Sequence, residues 1–255
     1  MKDEDDAVGN RIQAVDNAAE IIEFVHATQG CTAHNIEDSL DLSRSTAYIY
    51  LKTLVDLGLL QKQNGEYHIG IKFLKYGGRA RHNIEMYHFV RKEVDKLAAE
   101  TQSIATVGCE NNAQRVLLYL TESGDAVTDN PPIGEYTEMH WTALGKALLA
   151  TKSDTEIEAI VEQHGLPKST DTTITDIDAL LEEVEEIRSR GYSIEDQERT
   201  TGVKAVGTTV GFQDQLHGDI AIAVAGPTSQ FTEERIENEL STALQETANV
   251  IELRH

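Results

Sequence analysis

The sequence predicts a chain in two parts, a small helical domain with a hairpin and then an α/β or α+β domain, and three observations carry that expectation. Apolar residues recur at helical spacing three times before residue 58, and an Asn64-Gly65 pair then joins two short alternating runs. From about residue 87 onward, strand-like and helix-like segments alternate without the fixed period of a repeat array. The length of 255 residues allows one large or two small domains with a real core.

The first helix is read from Ala14, Val15, Ala18, Ile21, Ile22 and Val25, an i, i+3, i+4, i+7 pattern that Gly30 stops. Thr32 can cap a second, short helix to Leu40 that carries Ala33, Ile36 and Leu40 on one side. DLSRS supplies a turn and a new cap at Ser43, and STAYIYLKTLVDLG then runs as a third helix to Gly58. LLQKQ and EYHIG, joined at Asn64-Gly65, form a hairpin. Leu74–Glu85 reads as a helical connector in which Gly77-Gly78 marks a bend or hinge, so the first domain, from residue 10, ends near residue 76. An acidic flexible tail, residues 1–9, precedes it.

After a linker over residues 77–88, helical period returns from Tyr87 to Thr101, and Ile104–Glu122 reads as two strands turning at Asn111-Asn112. Helices follow at Thr142–Thr151, Asp154–His164 and Ile177–Arg190, the last ending at Gly191. Strands at Val203–Val210 and Asp219–Ala225 precede a final helix, Thr232–Leu253. On periodicity alone this second part is an α/β or α+β domain with helices on the faces of a sheet.

Composition narrows the setting. Lys and Arg number 22 against 44 Asp and Glu, a net charge of −22 spread along the whole chain rather than gathered in a tail. Such dispersed acidity suits a folded protein whose self-repulsion is screened by strong salt, as in a halophile's cytoplasm. No window approaches 18 uncharged apolar residues and the acidic MKDEDDAVGN start is not a secretory leader, so no membrane association is expected. Cys31 and Cys109 lack any CxxC or His-pair spacing, which leaves two buried thiols in a reducing compartment.

Helix, four-residue turn, helix and hairpin is the arrangement that sets one helix in a DNA major groove with a wing beside it. The third helix would read the bases. Ser43, Arg44, Ser45 and Thr46 at its start can contact phosphate or base edges, with Tyr48 one turn later. Ser43 to Val55 carries Arg44 and Lys52 and no acid, a local signal in so acidic a chain, and the wing adds Lys62, Gln63 and Asn64. The competing reading is a winged helix that contacts protein.

These residues resemble the IclR family of transcriptional regulators. The resemblance rests on RIQAVDNAAEIIEFV, LSRSTAYIYLKTLVDLGLL and GEYHIGIKFLKYG, then on MHWTALGKALLA, TTITDIDALLEEVEEIRSRGYSIEDQE and GDIAIAVAGP, and covers nearly the whole chain. With its acidity, the chain is similar to a haloarchaeal-type member. The resemblance implies a winged helix-turn-helix domain, a linker helix and a GAF-like effector-binding domain over residues 89–255, assembled as a homodimer or dimer of dimers on promoter DNA. The implied effector pocket involves Met139, His140, Thr142, Ala143, Glu195, Ala205, Ala223 and Ala225, with walls from the Gly108 and Leu118 strand pair. Ile49 stands where many members have Arg in the reader helix, and Ala205 where a cysteine is common. Ala223 and Ala225 replace serines that hold small carboxylates in some members, which points to a larger or less charged effector.

Other chemistry finds no support. ALGKALLA lacks the early glycine and the Ser or Thr of a phosphate loop, so Gly145 is read as a packing residue and Lys146 as solvated. The nine histidines never pair at i, i+4 beside a carboxylate, and no G-x-S-x-G elbow occurs. His140, beside Trp141, is read as either a capping or packing residue or a ligand contact. The expectation is a non-enzyme without metal or cofactor. A metabolite that binds two conformations of the second domain unequally would shift DNA affinity, with Gly77, Gly78, Arg79 and Arg81 in the transmitting connector.

Overall fold

A computed structural model describes residues 11–84, 87–121, 131–214 and 218–254, so the acidic tail lies outside the described residues. The chain divides into two compact units, Met1–Ala80 and Arg81–His255.

In the first unit, α1 (Gln13–Ala27), α2 (Ala33–Ser39) and α3 (Arg44–Asp56) precede a hairpin of β1 (Leu60–Gln63) and β2 (Glu66–Ile69), and α4 (Lys72–His82) follows. Local chemistry sets these boundaries. Thr32 and Asn35 form a reciprocal capping box at α2, and the Ser43 hydroxyl accepts from the Thr46 N–H at 3.2 Å at the start of α3; loss of such a cap costs about 1 kcal/mol. Gly30 has φ +128, and a Cβ there would fall 2.4 Å from the His68 ring, so only glycine serves. Asn64 and Gly65, at φ +52 and +91, give the hairpin its two-residue turn. Ile21, Val25, Ile36, Ala47, Leu51, Leu54 and Tyr67 close the core. α4 continues as one helix through Gly77-Gly78, and none of its residues is buried.

The second unit opens with α5 (Tyr87–Thr101), β3 (Ile104–Asn111), β4 (Gln114–Leu120) and β5 (Tyr136–Glu138). A short turn of helix at Met139–Trp141 leads to α6 (Ala143–Ala150), α7 (Asp154–His164) and α8 (Ile177–Arg190). Then come β6 (Ser193–Asp196), β7 (Val203–Asp214), β8 (Gly218–Pro227), α9 (Glu233–Arg235) and α10 (Ser241–Glu252), the last two joined by a π-helical segment, Ile236–Leu240. The sheet order is β5-β4-β3-β8-β7-β6 with every neighbouring pair antiparallel, so the domain is α+β.

Three sequence expectations need correction. The β3–β4 turn falls at Asn112-Ala113, one residue later than expected, because both residues take the positive φ that the turn requires. The strands β5 and β6 were not anticipated; at three and four residues, they are too short to show a period of their own. The expected single final helix is interrupted by its π segment.

Alternation along β8 builds both faces of the sheet. Ile220, Ile222 and Val224 enter a core with α5 and α10, whereas Ala221, Ala223 and Ala225 face the α6–α8 side. Burial of each large side chain is worth about 1.5–3 kcal/mol. The alanine face gives up that gain and leaves room for α6. A Cβ on Gly207 would stand 3.0 Å from the Ala143 carbonyl, and one on Gly145 would be 2.1 Å from the Met139 oxygen. The role expected of Gly145, close packing, is what this contact requires.

Candidate nucleic-acid interface and ligand cavity

On α3, Ala47, Leu51 and Leu54 point inward, which turns Arg44, Ser45, Tyr48, Ile49 and Lys52 outward as one exposed stripe. A groove lined by Ala33, His34 and Glu37 of α2, by Arg44, Ser45, Tyr48 and Ile49, and by Lys62 and Tyr67 runs between the helices and the hairpin. Lys62 Nζ lies 4.9 Å from the centre of the Tyr67 ring, which steadies the cation on the wing. Ser43 and Thr46 are occupied at the cap, with their hydroxyls 2.8 Å apart. Lys52 lies one turn along the exposed stripe, and Gln63 and Asn64 lie exposed at the hairpin tip, all three outside the groove lining. His34, Glu37 and Tyr67 went unnoticed because the groove forms only when α2 meets the hairpin. The first residues of α3 present backbone N–H groups with no intrahelical partner, which suits phosphate oxygens.

The second unit holds a cavity of about 80 Å³ between the small-residue face of the sheet and α6. Thr142, Ala143, Glu195, Ala205, Ala223 and Ala225 line it as the sequence suggested. Met139 instead packs in the α6–α8 core, and His140 is buried with Nε2 3.1 Å from the Pro167 carbonyl, so neither reaches the cavity wall. Burial lowers the His140 pKa, which keeps the ring neutral as a packing residue. The strand pair contributes Thr106 and Leu117 rather than Gly108 and Leu118. A bulge between Val107 and Gly108 shifts the register, and Leu118 faces the opposite core.

The lining also contains two guanidiniums that sequence reading missed, Arg115 and Arg199. Glu135 joins them: Arg199 Nη2 donates to its two oxygens at 3.2 and 3.1 Å, and Arg115 Nη2 approaches Oε2 at 3.4 Å. Arg115 is only 2% exposed. Each guanidinium presents its N–H donors as a planar fork, the geometry that matches a carboxylate. Beside the alanines the wall thus carries one buried guanidinium, Arg115, and one half-buried, Arg199, both paired with Glu135.

Lys146 is buried rather than solvated, with Nζ 2.7 Å from Glu198 and 3.4 Å from Glu183. A helix apolar on all sides is a buried helix, and ALGKALLA carries its lysine inside. Glu195 accepts the backbone N–H of Glu198 at 2.9 Å and of Arg199 at 3.3 Å. Burial pushes its pKa up to about 7 against these hydrogen bonds and the charge of Lys146, and the charge of Glu198 adds to the rise. Burial also raises Glu198, opposed by Lys146. Thr170, Thr173 and Ser169 donate their hydroxyls to the carbonyls of Gln197, Glu198 and Arg199 at 2.6, 2.7 and 2.8 Å, which fixes the segment that carries Arg199.

Comparison with known proteins follows both units. Residues 14–64 match the IclR helix-turn-helix domain, and residues 78–253 match the C-terminal domain of the bacterial transcriptional regulator IclR. The chain is 28% identical over 249 residues to the "Probable HTH-type transcriptional regulator ArcR" of Halobacterium salinarum, across 96% of this chain and 94% of that protein. An IclR transcriptional regulator from Alicyclobacillus acidocaldarius shares the fold with a TM-score of 0.80 at 22% identity, covering 96% of this chain and 99% of that one. Thermotoga maritima IclR gives 0.73 at 25% identity, with 96% and 99% covered. Among the described residues, no helix is long and apolar enough to cross a membrane.

Proposed function

This chain belongs to the IclR family, DNA-binding transcriptional regulators that respond to a small-molecule effector, and from that premise we propose how its parts divide the work. It is a transcription factor and not an enzyme. The reading in which the winged helix contacts only protein has no support in that membership.

In this proposal residues 10–76 read promoter DNA, residues 77–88 act as linker, and residues 89–255 form a GAF-like domain for effector binding and oligomerisation. The observation that carries it is the acid-free exposed stripe of α3, set in one groove with Lys62 of the wing. A homodimer or dimer of dimers is supported by apolar side chains left in solvent on and beside α4: Ile71 is 79% exposed and Leu74 73%. Residues 10–78 carry six Lys or Arg against eight Asp or Glu, so the reader is the less acidic unit without being basic. In the salty cytoplasm that the composition suggests, base contacts and shape carry more of the specificity than counterion release.

The effector is a small metabolite with an acidic group, held by Arg115 and Arg199 above an alanine floor. By linkage, an effector that favours one conformation of its domain changes DNA affinity by the same coupling energy, typically about 1–3 kcal/mol. Thermal denaturation of the full chain with a panel of small carboxylates and their neutral amides tests this. A carboxylate is expected to raise the melting temperature, with the rise lost in Arg199→Met. Stabilisation by the amides alone would refute the acidic-group assignment.

A further inference from the structure

Two large side chains on the DNA-facing side of α3 have no protein contact that buries them. Ile49 is 64% exposed and Tyr48 61%, side by side on the stripe that Arg44 begins and Lys52 continues. Exposed apolar surface costs free energy in the unbound protein, and an isoleucine side chain has no donor or acceptor to offer a phosphate or a base. Among the groups at the base edges of the major groove, the apolar one is the C5-methyl of thymine. Arg44 and Lys62 line the same groove as the pair, alongside Glu37 of α2, and supply cations for flanking phosphates.

We propose that Ile49, with Tyr48 beside it, is a specificity-determining residue that reads thymine through its C5-methyl group. The proposal rests on the DNA-reading role of α3 and adds what that helix recognises. It places a thymine in each half-site opposite Ile49, where an arginine would have favoured guanine. Removal of one methyl from such a contact removes burial worth about one CH₂, which corresponds to roughly fourfold weaker binding.

The experiment selects duplexes from a randomised pool with the full chain, then replaces each thymine of the selected sequence by deoxyuridine, which deletes only the methyl. At one thymine per half-site, uracil is expected to weaken binding about fourfold. Ile49→Ala is expected to bind the thymine and uracil duplexes alike, and Ile49→Val to retain part of the difference. Ile49 is exposed, so both variants keep the fold, and sensitivity to one methyl is a readout that a merely structural role would not move. A selected duplex with no uracil penalty, or with a penalty unchanged in Ile49→Ala, overturns the inference alone. Failure of the wild-type chain to retain any duplex overturns the DNA-reading role of α3 and the inference with it.

Discussion

Replacement of Glu195 by Gln is expected to stabilise the second unit at alkaline pH and to do so progressively less as the pH falls. The carboxyl is 4% exposed and its Oε1 accepts two backbone N–H groups, a task that the Gln carbonyl can take over while its NH₂ stands in for the acid O–H. Its pKa is raised from 4.5 to about 7, chiefly by burial. Between those values the folded chain holds a proton that the unfolded chain has released, so stability falls as pH rises. Below pH 4.5 both states are protonated and no penalty exists; above 7 both are ionised and the penalty is complete. A rise from 4.5 to about 7 corresponds to about 3 kcal/mol. That is roughly 6–12 °C in melting temperature for a domain of this size. Thermal denaturation of wild type and Glu195→Gln at pH 5 and pH 8 measures it. The advantage of the variant should grow by about 2–3 kcal/mol between the two. An equal effect at both pH values, or a larger one at pH 5, would refute burial of the ionised carboxylate as the cause.

Three further outcomes follow from other parts of the molecule. Ala113 sits at φ +61 in the β3–β4 turn, where glycine is free of the left-handed cost, so Ala113→Gly should raise stability by about 0.5–1 kcal/mol in urea titration, and a loss would contradict the turn geometry. Ala at both Gly77 and Gly78 would meet nothing within 4 Å, so the double variant should fold with α4 stabilised by about 1–2 kcal/mol and show an altered effector response. Unchanged induction would count against α4 as the transmitting element. In the proposed dimer Arg44, Lys52 and Lys62 would supply about six phosphate contacts, so log affinity should fall with log salt at a slope near −5, and a slope near −10 would require further cations.

The winged helix was legible because its signals are local. Thr32, Ser43, Gly58 and Asn64-Gly65 each fix a boundary through bonds within a few residues, and the exposed stripe of α3 follows from helical period alone. The cavity was only half legible. Its alanines lie on strands whose alternation can be counted, but Arg199 reaches it through a loop positioned by distant hydroxyls. Arg115 did leave a signal. In QRVLLYL it shares a face with Leu117 and opposes Val116 and Leu118, so a two-sided buried strand had to take the arginine inside. Lys146 was misjudged by the same neglect of an all-apolar helix.

Genome-wide crosslinking of the tagged chain in its own host, beside an Arg44→Ala variant, tests the central claim most directly. Arg44 is exposed at the start of α3 and lines the groove, so its loss removes a proposed DNA contact without disturbing the core. A few sharp promoter peaks that vanish in the variant are the result expected of a regulator that reads DNA with α3. Peaks that persist unchanged, or no specific peaks from the wild-type chain, would contradict it.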